Sequence, residues 1–93
     1  MKTTINGKRY NTEKCVILAT HDHHSYSNNY AGTTSLLRAS DGAFLTHTSA
    51  NGQDCHVQNS FGACDDATGF LDNAEMDNEQ EERCVELGLI VIV

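Results

Sequence analysis

The chain has 93 residues and a mass of 10.2 kDa, which fits one domain around one core and excludes a large multidomain enzyme. Six Lys and Arg stand against thirteen Asp and Glu, a net charge of −7 that opposes direct binding to nucleic-acid backbones or to anionic lipid. No unbroken apolar run exceeds five residues, the length of Leu89 to Val93, where a bilayer crossing needs roughly 18 to 20, and Met1 to Gly7 carries no apolar signal core, so a cytoplasmic protein with no membrane association is expected.

Three dipeptides punctuate the first two thirds of the chain. Asn6-Gly7, Asp41-Gly42 and Asn51-Gly52 are each the signature of a two-residue hairpin turn between β-favouring stretches. The first predicts pairing of Thr3 to Ile5 with Lys8 to Tyr10. Next, Cys15 to Ala19 is a continuous apolar run, the pattern of a strand covered on both sides or central in its sheet. The polar stretch His21 to Tyr30 has no clear period and is expected to be a surface loop. The second and third turns define a meander of about Thr33 to Ser40, Ala43 to Ala50 and Gln53 to Gln58. With two-residue turns, Ala39 faces Phe44, Leu37 faces Thr46 and Thr46 faces Val57 on the core side. Leu36, Arg38, Leu45, His47, His56 and Gln58 then point to solvent, so burial is expected on one face only.

After Cys64 the period changes. Ala67, Phe70, Leu71 and Ala74 fall on one stripe of a short helix with Asp65 or Asp66 as cap, although Gly69 weakens it. Asp77 with Gln80 three residues later forms a capping-box variant, and Gly88 follows where a helix over Asn78 to Leu87 would stop. Leu89 to Val93, dominated by β-branched residues, reads as a buried terminal strand. The fold class is therefore α+β, a single domain of residues 1–93: an antiparallel-rich sheet of hairpins with one or two C-terminal helices packed on one face.

Charge is segregated along the chain. Residues 1–64 hold five basic and four acidic side chains, net +1, whereas residues 65–93 hold one basic and nine acidic, net −8. Glu75, Glu79, Glu82 and Glu86 are spaced 4, 3 and 4, which places them on one helical stripe if the helix includes Glu75. Like charges at i,i+4 cost a helix roughly 0.2 to 0.5 kcal/mol per pair. Local stability therefore does not favour this clustering. A solvated surface face is the simplest reading, and an anionic ridge that docks on a basic protein surface is the functional one. Asp72 belongs to the same acidic set, and Tyr26 and Tyr30 are candidate interface anchors in the polar stretch. The calcium-loop pattern D-x-[DN]-x-[DN]-G is absent.

Cys15, Cys55, Cys64 and Cys84 form no C-x-x-C pair, so four reduced cysteines in or near the core are expected rather than a zinc knuckle. A low-specificity metal set of His21, His23, His47 and His56 can be drawn, with His47 across from His56 in the two-residue register and Asp22 or Asp54 supplying a carboxylate; solvated histidines are the simpler reading and no metal or cofactor is expected. Cys55 and His56 would point to opposite strand faces, which removes them as a nucleophile and base. No nucleophile elbow, phosphate loop, dinucleotide fingerprint or H-E-x-x-H occurs, and the chain is not expected to be an enzyme. Lys2, Lys8, Arg9 and Lys14 gather near the N-terminus without an aromatic stacking platform, a weak nucleic-acid signal.

The nine residues Ile5-Asn6-Gly7-Lys8-Arg9-Tyr10-Asn11-Thr12-Glu13 resemble the opening of many small accessory proteins of bacterial phages and mobile elements. Some proteins of that kind are anti-CRISPR inhibitors, several of which mimic the charge of DNA. The resemblance implies a non-enzymatic inhibitor whose acidic surface competes with nucleic acid for a basic site on a CRISPR effector complex. Two alternatives come from the residues alone. One is a small His-based metal-binding protein; the other is an assembly module whose strand Leu89 to Val93 pairs with a copy of itself, as a homodimer, or with another sheet edge.

Overall fold

The computed structural model describes the backbone of residues 1–25, 30–51 and 57–93 and the side chains of 1–22, 32–49 and 60–93. The chain is α+β. Strands β1 (Lys2–Ile5) and β2 (Lys8–Asn11) form a two-stranded hairpin. A single 3-10 turn, Thr12–Lys14, leads into a four-stranded antiparallel meander of β3 (Val16–Ser25), β4 (Tyr30–Arg38), β5 (Phe44–Asn51) and β6 (Val57–Ala63), in spatial order β3-β4-β5-β6. Helices α1 (Ala67–Phe70) and α2 (Asn78–Glu86) follow.

The first hairpin forms as its turn residues require. Ile5 pairs with Lys8, and Asn6 and Gly7 have φ of 51° and 78°, the two positive values of a type I′ turn. The Asp41-Gly42 turn departs from expectation by one residue. Arg38 faces Phe44, Leu37 faces Leu45 and Leu36 faces Thr46. Ala39 and Ala43 close a three-residue loop: the Gly42 N–H donates to the Ala39 carbonyl and the Ala39 N–H to the Ala43 carbonyl. Gly42, at φ 92°, is the left-handed residue that such a type I turn plus bulge needs. The physical reason for the slip lies in the leucines. The two-residue register sets Leu37 against Thr46, whereas the observed one sets it against Leu45 and lets both leave water.

Burial is consequently two-sided. Leu36 and Leu45, expected on the solvent face, are 0% and 1% exposed. One core joins Leu18, Ala19, Leu36, Leu71 and Cys84 beneath the helices. The other joins Leu37, Ala39, Leu45 and Phe61, and is covered by Ile5 and Tyr10 of the N-terminal hairpin. That hairpin acts as a second lid, so adjacent leucines 36 and 37 are both buried although they face opposite ways.

The third turn is also reset. Asn51 pairs with Val57 and His47 with Phe61, so β6 begins where the expected strand ended. In the tighter register Phe61 would run past the strand; here it is buried beside Leu45. Gly52, Gln53, Asp54, Cys55 and His56 lie outside the described residues. The expected loop His21 to Tyr30 is instead strand on both arms, with Ser25 paired to Tyr30. Threonines and serines along β4 suit a pleated half-buried surface, and pairing with β5 overrides the missing periodicity.

The apolar run from Val16 forms an edge strand, not a central one. A bulge at Leu18, between the Ile17/Leu37 and Ala19/Leu36 pairs, turns both Leu18 and Ala19 into the helix-side core and leaves Val16 and Ile17 exposed. The outer edge is blunted at one point, where Thr20 and Glu75 exchange backbone hydrogen bonds of 3.0 and 2.8 Å.

Helix α1 is one turn, capped by the Asp66 carboxylate accepting from the Gly69 N–H. In α2 the capping box is complete: Asp77 accepts from the Gln80 N–H and the Gln80 side chain accepts from the Asp77 N–H. Its other end is a Schellman motif, with Gly88 donating to the Val85 carbonyl and Leu89 to the Cys84 carbonyl. The expected terminal strand is absent. Leu89 and Ile90 pack under the helix-side core, while Val91, Ile92 and Val93 are exposed and unpaired. The Schellman turn redirects the backbone toward the core instead of along a sheet edge. Among the described residues, no helix is long and apolar enough to cross a membrane.

Candidate functional site

Helix α2 is held by its inner face, where Cys84 is fully buried and its thiol points to the Leu18 carbonyl at 3.8 Å. Leu87 packs beside it. That anchoring turns Glu79, Glu82 and Glu86 outward, and together with Arg83 they line one shallow polar surface recess. Arg83 reaches Glu79 at 3.7 Å, a single i,i+4 ion pair between exposed side chains. Among the described residues, Glu82 and Glu86 have no cationic partner within ion-pair distance. The acidic ridge is therefore real but shorter than the spacing implied. Glu75 precedes the helix and is held by its bridge to Thr20, because Asp77 starts the helix two residues later. Asp72 is exposed in the turn after α1, away from the stripe by chain position. Tyr26 lies outside the described residues, and Tyr30 is described only as the backbone position that opens β4.

Of the four candidate histidines, the structure describes the side chains of His21 and His47. Nε2 of His21 donates to the Phe70 carbonyl at 2.6 Å and its ring stands edge-on to Phe70, so His21 ties β3 to α1. His47 faces Phe61, not His56, with ring centroids 6.1 Å apart. His23 is described only by its backbone, and His56 and Asp54 lie outside the described residues. Asp22 accepts a hydrogen bond from the Thr33 hydroxyl. Among the described residues, no group of three His, Cys, Asp or Glu is placed to hold a metal.

Cys15, Cys64 and Cys84 are free thiols. Burial pushes the Cys15 thiol up, with nearby Asp41 adding to it, and burial alone pushes Cys84 up. Both are thereby kept protonated, the opposite of an activated nucleophile.

Asp41 organises the contact between the N-terminal hairpin and the β4–β5 turn. It accepts from the Tyr10 hydroxyl at 2.8 Å, from the Lys8 ammonium at 3.2 Å and from the Ala43 N–H, clamping β2 to the β4–β5 turn. These bonds, the backbone N–H first, hold its carboxyl below the usual carboxylate range. The same clamp holds the lysine and tyrosine protonated, raising both.

Sequence reasoning missed what this clamp creates. Lys2, Arg9, Tyr10, Asn11, Lys14, Cys15, Ala39 and Ser40 line a cleft of about 320 Å³ between the hairpin and the turn. A second cleft of about 240 Å³ shares Lys14, Ala39 and Ser40 with it and continues past Val16, Leu18, Arg38, Arg83 and Leu87. Five of the six basic residues thus border two adjoining clefts, and the sixth, Lys8, is paired to Asp41. Four of the five come from the near-neutral first 64 residues, but nothing in their spacing brings residues 2, 9, 14 and 38 together.

No family model, no curated protein and no solved structure matches this chain.

Proposed function

We propose that the protein is a non-enzymatic binding protein that engages a basic protein surface through the outer face of α2, in its most concrete form an anti-CRISPR-like inhibitor that competes with nucleic acid for a CRISPR effector. The observation that carries this reading is the exposure of Glu79, Glu82 and Glu86 on one recessed surface with Arg83 alone to compensate them. Carboxylates at successive helical turns rise about 5 Å apart and repeat negative charge along one line, as a nucleic-acid strand does with about 3.4 Å of rise per phosphate. Their field steers association with a cationic groove and weakens as salt shortens the screening length.

The test is phage plaquing on cells whose CRISPR system targets that phage, across several system types, expressing the protein or its E79K/E82K/E86K variant. Rescue by the native protein, lost in a variant that keeps its circular dichroism spectrum, is the expected result. Absence of rescue in every system tested removes the inhibitor reading, and rescue undiminished in the variant removes the acidic face as its cause.

A further inference from the structure

The geometry points to a ligand site among the basic residues: the paired clefts around Lys14, Ala39 and Ser40 bind a phosphorylated small molecule of nucleotide size, phosphates in the first cleft and an apolar or ring moiety in the second. The site meets the acidic face of α2 at Arg83 alone, and its phosphate cleft shares no residue with that face, so either reading can fail without the other.

Three features select that ligand. The first is charge. In a molecule of net −7, Lys2, Arg9 and Lys14 all line one cleft, and among the described residues no carboxylate lies within 4.0 Å of any of them. Three cationic side chains along one cleft complement a bound polyanion. Three cations exceed what one carboxylate needs and suit a di- or triphosphate.

The second feature is the donor chemistry around those charges. Asn11 and Ser40 add neutral hydrogen-bonding groups to the cationic cleft. Arg9 is already oriented by donating to the Thr4 hydroxyl at 2.9 Å, so less freedom is lost when a phosphate docks on the remaining N–H groups. The Asp41 clamp fixes the wall that carries Tyr10 against the turn that carries Ser40.

The third is the neighbouring compartment. Val16, Leu18, Ala39 and Leu87 give it apolar walls, and Arg38 and Arg83 stand at its margin. Guanidinium groups stack on flat ring systems, and Arg38 is already placed 5.6 Å from the Phe44 ring centroid. The half-exposed Val16 is one of these walls, so an occupant would cover apolar surface the fold leaves wet. The first compartment is at the lower end of the range for small-molecule sites, and the pair together lies well within it.

The experiment is calorimetric titration of the full chain at low and physiological salt with ATP, tripolyphosphate, adenosine and a short single-stranded oligonucleotide. Lys2→Gln and Lys14→Gln are compared with Asn78→Asp, which makes the same one-unit change in net charge at an exposed position that lines neither cleft. ATP should bind more tightly than tripolyphosphate or adenosine, and each cleft lysine variant should weaken it by about tenfold, the scale of one charge-assisted hydrogen bond. Asn78→Asp should change it by less than about twofold, the scale of an exposed charge acting at a distance. Amide shifts on binding should concentrate at Arg9, Asn11, Ala39 and Ser40 and spare Glu79 and Glu82. No binding of ATP at millimolar concentration overturns the proposal, as does equal weakening by all three variants. Tripolyphosphate binding as tightly as ATP overturns the assignment of the second cleft, and preferential binding of the oligonucleotide replaces the small molecule by a nucleic-acid strand.

Discussion

Substituting Leu45 by Ala separates the observed register from the one the turn dipeptides suggest. Leu45 is 1% exposed, faces Leu37 on β4 and Ala63 on β6, and sits on a strand hydrogen-bonded on both sides. The sheet around it cannot collapse into the space left by three lost carbons, so the cavity cost adds to the transfer cost and about 3 kcal/mol is expected. A 93-residue domain has a total stability of about 5 to 14 kcal/mol, so this is a large fraction. The transition temperature should fall by roughly 12 to 24 °C. The comparison is Ile17→Ala. Ile17 lies in the apolar run that reads as fully covered but is 47% exposed on an edge strand, and about 1 kcal/mol is expected from its partial burial. Urea unfolding followed by far-ultraviolet circular dichroism suits a chain without tryptophan. The midpoint for Leu45→Ala should drop by roughly 2 to 3 M at unchanged slope. A loss below about 0.5 kcal/mol for Leu45→Ala, the value for an exposed position, would refute the two-faced core, and so would a larger loss for Ile17→Ala.

Asp77→Ala removes one half of the capping box and should cost about 1 kcal/mol, with amide exchange accelerating first in the initial turn of α2. Gly88→Ala places a Cβ on a residue at φ 76° with open space around it, so the cost is conformational alone, about 1 to 2 kcal/mol in thermal melts. For Asp41, whose folded pKa lies below its unfolded value, the contribution to stability is present above the unfolded value and is lost as pH falls through the folded one; nuclear magnetic resonance titration should find its midpoint low, and Lys8→Gln should raise it. Lys8 and Tyr10 are shifted the other way, so their contributions hold below their unfolded values and disappear as pH rises through the folded ones, and Asp41→Asn should flatten both limbs.

Where the controlling interactions are local, the sequence alone determined the outcome. Asn6-Gly7 made its hairpin, Asp77 and Gln80 started α2, Gly88 ended it, and the charge step after Cys64 put an acidic face on that helix. In each case the groups that decide lie within a few residues of one another, so their chemistry is visible in the order of the letters. The tertiary structure decided what depends on which surfaces meet. Asp41-Gly42 offers a two- or a three-residue loop, and the choice fell to Leu37 and Leu45 seeking each other and to Asp41 reaching Lys8 and Tyr10. His47 met Phe61 because burying Phe61 beside Leu45 outweighed the tightest turn. The apolar tail from Leu89 made no strand, since the Schellman turn aimed it at the core. Lys2, Arg9, Lys14, Arg38 and Arg83 came to border one pair of clefts only when the N-terminal hairpin closed over the far face of the sheet. Burial is a property of two surfaces at once, and the chain order records only one of them at a time.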